Sequence, residues 1–209
     1  MKPQYLTVAE PVELTHEGAV NLRVREIDSE NSVLELGVDY EKAEIPSRAY
    51  AADYCQIIKT QTEYVIVFGK LAPGTKKLRN KVEISFQRYA FGHQLWASSR
   101  DLHKALQQSK YAQLLDLTGV EETDVVQSFR SNNAFMAGLG EEALVDFYYI
   151  PPNEIEYVRR GKRRKITLDP VLRVVMSVSL LGSFLDRIDG LVTGEPEWVA
   201  IIKSDLELK

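Results

Sequence analysis

The sequence predicts an α+β fold: a mainly antiparallel sheet with helices on one face, built as two similar strand-strand-strand-helix halves. Three observations carry this. Several short segments alternate apolar and polar residues at period two, as half-buried strands do. Twice the period then changes to 3.6, as in an amphipathic helix packed on a sheet. And the two stretches in which this happens share residues at fixed offsets. Asp53-Tyr-Cys-Gln-Ile57 recurs as Asp146-Phe-Tyr-Tyr-Ile150 and Glu63-Tyr-Val65 as Glu156-Tyr-Val158, both displaced by 93 (146 − 53 and 156 − 63). Ile84, Gly92 and Leu95 meet Val174, Gly182 and Leu185 at an offset of 90 (174 − 84).

In chain order, residues 1–17 carry Pro3 and Pro11 and read as an extended lead-in. Leu22-Arg-Val24 and Leu34-Glu-Leu36-Gly-Val38 alternate around the turn-forming Asp28-Ser-Glu-Asn-Ser32, which predicts a hairpin. Residues 54–59 and 64–68 form the next strand pair, the second apolar throughout and therefore expected to be covered on both faces. A loop around Pro73-Gly74 leads to Lys81-Val-Glu-Ile-Ser-Phe86, which points Val82, Ile84 and Phe86 to one side. Phe91, Leu95, Leu102 and Leu106 then make one helical stripe. Residues 111–117 are ambiguous between short helix and strand, and Thr123 or Asp124 is placed to cap a helix over 125–136, ended by Gly138-Leu-Gly140. The second half is expected to run as a strand over 144–150, a turn at Pro151-Pro-Asn-Glu154 and a returning strand over 155–160. A strand over 172–176 and a helix over 178–192 with the stripe Leu181, Leu185, Ile188 and Val192 complete it. Residues 198–202 read as a last, edge strand. The chain thus divides into an N-terminal hairpin (1–46), a first copy (50–108), a partly helical connector (109–140), a second copy (141–194) and a C-terminal strand (195–209), all within one globular unit.

Composition narrows the function classes. With 209 residues, 44% hydrophobic and 27% charged, the chain is an ordinary globular sequence able to bury a core. A formal net charge of -4 argues against wholesale capture of nucleic acid. The single cysteine, Cys55, excludes a disulfide framework and points to a reducing compartment. The N-terminus lacks the apolar core of a signal peptide, and the longest apolar run, around 174–185, is too short to span a bilayer. A cytoplasmic location without membrane contact is expected.

Tyr50-Ala-Ala-Asp-Tyr54, Glu63-Tyr-Val-Ile-Val-Phe-Gly69, a proline-containing loop and Val82-Glu-Ile-Ser-Phe86 ahead of a helix together resemble a small prokaryotic family of unassigned function. In that family a tyrosine–alanine–asparagine strand pairs with a strand carrying glutamate–phenylalanine and then an apolar–aspartate–phenylalanine stretch. Arg173-Val-Val-Met-Ser177 looks like the same family's third strand. The layout is similar to that of the SecB export chaperones, which implies a multistranded antiparallel sheet, helices on one face and assembly through sheets or helices. The resemblance covers the first copy well and the second loosely. Asp53 stands where the family carries asparagine, and this chain holds two units where the family has one. The resemblance brings no catalytic residue.

No constellation for catalysis, metal or cofactor stands out. His16, His93 and His103 are dispersed, and His93 and His103 fall about 80° apart around one helix. Ser98, Ser99, Asp101 and His103 are triad types, but one short helix does not converge them. Gly138-Leu-Gly140 lacks the third glycine of a dinucleotide loop. Asp186 and Asp189, with Arg187 between them, read as a solvated face.

Two features point to partners. The apolar surplus of Tyr64, Ile66, Phe68, Phe147, Tyr148 and Tyr149 suggests a strand face for a protein segment or a second copy. The expected function is accordingly non-enzymatic: a protein-binding, chaperone- or adaptor-like component that self-associates as a homo-oligomer. The alternative is a nucleic-acid-binding subunit of a larger assembly, using Arg159, Arg160, Lys162, Arg163, Arg164 and Lys165 with Lys76, Lys77, Arg79 and Lys81 of the matching loop.

Overall fold

The computed structural model describes residues 5–6, 19–28, 33–38, 40, 43–109, 119–121, 127–159 and 165–194. The chain is α+β, and its architecture rests on two four-stranded sheets of the same topology. The first holds β5 (Tyr54–Lys59), β6 (Glu63–Leu71), β7 (Leu78–Gln87) and β8 (Gln127–Arg130) in that order. The second runs β9 (Asn133–Leu139), β10 (Glu142–Tyr149), β12 (Asp169–Ser177) and β4 (Ala49–Ala51). In each, three antiparallel strands end in a helix, and the fourth strand joins parallel: β8 against β7, and β4 against β12.

Those parallel strands are exchanged between the halves. β4 precedes the first sheet in the chain but pairs in the second, and β8 precedes the second but pairs in the first. The corners that make the exchange are alike. Ala52 N–H donates to the Val175 carbonyl and Asp53 N–H to that of Gly69, as Ser131 N–H donates to Ser85 and Asn132 N–H to Tyr148. The displacement is therefore 79 up to the central strand (132 − 53, 148 − 69) and 90 beyond it (175 − 85). Of the 90-residue match, the strand pair Ile84 and Val174 occupies corresponding places, with Ile84 on Ile66 and Val174 on Val145. The 93-residue match is not observed. Asp53 lies at the corner before β5 whereas Asp146 is central in β10, and Glu63 opens β6 whereas Glu156 lies in a helix. The second half gains 11 residues (90 − 79) between its second and third strands, where α3 (Pro152–Arg159) and β11 (Lys165–Thr167) sit.

Two expected elements are replaced. Of the stretch read as a helix over 125–136, residues 127–136 are strand β8, a corner and the start of β9, because pairing with β7 and β10 outweighs weak local helix signals. Of the stretch read as a strand over 155–160, residues 155–159 belong to α3, where Pro152 takes the first helical position and Glu154 lies in the first turn, and residue 160 lies outside the described residues. The N-terminal hairpin is present as β2 (Ala19–Asp28) and β3 (Val33–Val38), with β1 (Tyr5–Leu6) and β11 completing a third sheet on β2. Residues 111–117 and 198–202 lie outside the described residues.

After β7 the chain turns through α1 (Arg88–Ala90), a π-helical stretch Phe91–Trp96 and α2 (Ala97–Gln107); after β12 it enters α4 (Val178–Thr193). Ser177 caps α4, its hydroxyl accepting from Leu180 N–H at 3.1 Å. One core joins both sheets and these helices. Its centre is aromatic: Phe68 lies 5.8 Å from Phe147 and 5.5 Å from Phe184, Phe86 lies 5.9 Å from Phe147, and Tyr64 stacks on Phe91 at 4.1 Å. No helix among the described residues is long and apolar enough to cross a membrane.

Candidate functional site

Strand alternation divides the predicted contact residues between two faces. Tyr64, Ile66, Phe68 and Phe147 point into the core and are fully buried. Tyr148 points to the opposite face of the second sheet yet is 2% exposed, and Tyr149 is half-buried. The apolar run is therefore used within the molecule, first by the core and then by cover over the outer face. Among the described residues, the exposed large apolar side chains are Ile45, Ile58 and Phe135. Ile58 lies on β5 and Phe135 on β9, and each of these strands is at the edge of its sheet.

The outer face around β9 has the most developed chemistry. Phe135, Asp146 and Arg173 form one row across β9, β10 and β12, next to the row of Asn133 and Tyr148. Arg173 grips Asp146 in two bonds, Nε to Oδ1 at 2.6 Å and Nη2 to Oδ2 at 2.7 Å. That hydrogen bonding holds the guanidinium pKa above its ordinary value. Tyr40 lies over these rows, its ring 5.1 Å from Phe135 and 5.6 Å from Tyr148. Its hydroxyl faces two acceptors, Asn133 Oδ1 and, at 3.0 Å, the Ala134 carbonyl. Burial, with the Tyr148 ring next to it, pushes the Tyr40 hydroxyl pKa above its ordinary value; Tyr148 is pushed up to about 12 by burial and then by Asp146.

The same contact fixes the polarity of the edge. A carbonyl that receives the Tyr40 hydroxyl faces away from β10, and in an antiparallel pair alternate residues turn both backbone groups to the same side. Ala134, Met136 and Gly138 therefore present their N–H and C=O groups outward from β9. Tyr40 occupies the first of these positions. Gly138 is exposed, and a Cβ there would meet nothing within 4 Å.

The remaining candidates are structural or lie elsewhere. Cys55 is fully buried, and that burial drives its thiol pKa far upward, which keeps it inert. His103 does not meet Ser98 or Ser99, whose hydroxyls bond to backbone carbonyls of their own helix. Instead its Nε2 contacts Asp186 Oδ1 at 2.6 Å, and Trp96 Nε1 donates to Asp189 Oδ1 at 2.9 Å, so both aspartates tie α4 to the preceding helix. No group of His, Cys, Asp and Glu side chains among the described residues is placed to hold a metal ion. Lys76 and Lys77 are exposed in the β6–β7 connection, where Lys77 Nζ pairs with Glu121 at 3.1 Å; Arg79 is exposed at the start of β7, and Lys81 is buried in that strand 3.7 Å from Glu83. Arg160, Lys162, Arg163 and Arg164 lie outside the described residues, as does His16; of Arg159, Lys165 and His93 only the backbone is described. No family model, curated protein or solved structure matches this chain.

Neither Tyr40 nor Phe135 stands out in the sequence. Tyr40 lies alone in a polar stretch, and Phe135 falls in a segment that reads as connector. The one legible signal is the alternation Asn133, Phe135, Ala137 along β9.

Proposed function

We propose that this protein is a non-enzymatic binder of extended protein segments, which add as a further strand to the outer edge of β9, where no further strand pairs among the described residues. The observation that carries the reading is the exposed ring of Phe135, 38% accessible, beside the outward backbone groups of Met136 and Gly138. Strand addition draws affinity from main-chain hydrogen bonds and selectivity from side-chain contacts at alternate positions. β9 supplies both, and the aromatic bed of Tyr40 and Tyr148 backs the same face. A second copy of the chain pairing along this edge would make the homo-oligomer.

Gly138→Pro tests it. Proline deletes an outward N–H while leaving the ladder to β10 in place, and edge positions tolerate it. An array of extended peptides, followed by fluorescence anisotropy on the best binder, gives the affinity, and light scattering after chromatography gives the mass. Gly138→Pro and Phe135→Ser are each expected to weaken peptide binding or self-association at least about tenfold, the effect of one to two hydrogen bonds or one aromatic contact. Unchanged affinity and unchanged mass in both variants would remove β9 as the site.

A further inference from the structure

We propose that the slot between Phe135, Tyr148 and Asn133 is a tyrosine-recognition subsite, which Tyr40 fills as a ligand built into the same chain. This deepens the reading of β9 as a binding edge and rests on it, since the partner's tyrosine would arrive on the segment that adds to β9.

The slot matches a phenol at both ends. The ring of Tyr40 lies tilted against two aromatic rings, at 42° to Phe135 and 40° to Tyr148, with centroid separations in the favourable range for aromatic pairs. The hydroxyl end meets only acceptors among its contacts: the Asn133 side-chain carbonyl and the Ala134 main-chain carbonyl. The amide is turned that way by a second bond, because Asn133 Nδ2 donates to Gln94 Oε1 at 3.4 Å. A phenylalanine would leave these acceptors without a donor, which is what separates phenol from benzene in a buried site. The slot also opens onto the edge, because the Ala134 carbonyl is the first outward acceptor of β9. While Tyr40 holds that carbonyl, an incoming strand has to displace it. Tyr40 then works as a plug that sets a threshold for binding: an apparent affinity is reduced by the fraction of molecules in which the slot is closed.

The test uses the full chain with Tyr40→Ala, and two probes: N-acetyl-tyrosinamide, which fills a side-chain slot without adding a strand, and N-acetyl-phenylalaninamide as its control. Binding is followed by calorimetry and by the amide resonances of Asn133, Ala134 and Phe135. Tyr40→Ala is expected to bind the tyrosine probe at least about tenfold more tightly than wild type does, and about tenfold more tightly than it binds the phenylalanine probe, the effect of one hydrogen bond. Adding Phe135→Ser should abolish the gain. If Tyr40→Ala does not fold, Tyr40→Phe carries the same comparison, since losing the hydroxyl contact lets the tyrosine probe compete about tenfold better than against wild type. A folded variant that binds neither probe, or binds both equally, overturns the proposal. Because the amide probes form no strand, a slot that binds them while Gly138→Pro leaves peptide affinity unchanged keeps the subsite and removes strand addition; the reverse outcome removes the subsite alone.

Discussion

The Asp146–Arg173 pair offers the sharpest energetic test of the second sheet. Asp146 is 3% exposed and Arg173 25%, and both bonds are short. Removing the cation from a buried pair leaves a carboxylate without compensation, which costs about 3–5 kcal/mol. Arg173 reaches solvent with part of its head group, so the lower end applies: about 3 kcal/mol for Arg173→Met. The reverse deletion is milder, because an arginine left alone can extend along its stem toward water. Asp146→Val should therefore cost about 1–2 kcal/mol. The first sheet shows that valine suits this place, since Val67 occupies the equivalent position in β6 (146 − 79) and is 3% exposed. Combining the two replaces ions with apolar groups, an exchange that is often neutral or stabilising, so the double variant should fall within about 1 kcal/mol of wild type. Urea unfolding followed by circular dichroism measures the cycle. At an m value of about 2.5 kcal/mol/M, Arg173→Met lowers the midpoint by about 1.2 M. Single effects that simply add to within about 0.5 kcal/mol would show two independently solvated groups and refute the reasoning.

Three further predictions test other parts of the fold. Tyr50 donates to the Asn80 carbonyl at 3.0 Å and to Asn80 Oδ1 at 2.7 Å, and burial pushes its pKa up to about 12. A raised pKa stabilises the fold below the unfolded value of 10.0 and loses that contribution as pH climbs to about 12, so wild type should lose its advantage of up to about 1 kcal/mol over Tyr50→Phe across that window in melting curves. A Cβ on Gly69 would lie 2.4 Å from Leu78 Cδ2 and 3.3 Å from the Tyr54 ring, so Gly69→Ala should cost about 1–3 kcal/mol in urea unfolding, largely relieved by adding Leu78→Ala; no loss would mean that Leu78 moves aside freely. Fragments split at residue 122 should each lack cooperative unfolding and recover it on mixing, because each lacks the strand that the other half lends; a fragment that melts cooperatively alone refutes the exchange.

The sequence made the fold class readable because the core rows keep period two. Cys55, Ile57 and the run Tyr64, Ile66, Phe68 alternate inward, as do Val82, Ile84, Phe86 and Leu172, Val174, Met176. The helical stripe Leu181, Leu185, Ile188, Val192 is fully buried, as its spacing predicts. What failed was alignment by identity. Asp53 and Asp146 match as letters, but one marks a corner and the other is the cross-strand partner of an arginine on the adjacent strand. The corner's true counterpart is Asn132, whose side chain clasps Ile150 in two bonds, 2.7 Å to its carbonyl and 2.8 Å from its N–H. β8 was unreadable for another reason: a strand that pairs parallel with β7, some forty positions away, leaves no local pattern that distinguishes it from a connector. The aromatic slot was unreadable because its members, Tyr40, Phe135 and Tyr148, come from three separate segments.

The exchange of β4 and β8 accounts for why so much aromatic surface is hidden and so little remains. A half with only its own three strands and helix would expose the side of β7 or β12 that now carries a parallel neighbour. It would also leave Phe68 and Phe147 without each other. Lending one strand each way closes the third strand of both sheets and leaves the first strands, β5 and β9, as edges opposite the short lent strands β8 and β4. The two edges are not equivalent. β5 packs beside α4 and β9 beside the π-helical stretch and α2, but β5 ends in Ile58 and Lys59, whereas β9 carries Phe135 in front of an aromatic bed and has its first outward carbonyl stopped by Tyr40. A long exposed edge is a liability that proteins blunt with charge, bulges or cover. Here both edges have a neighbouring helix, and what differs is a lysine at the end of β5 and a single tyrosine from outside the sheet over β9. A cover made of one ring and one hydroxyl is the kind that a competing segment with the same chemistry can replace, and that asymmetry is the physical reason to look for the partner at β9 rather than at β5.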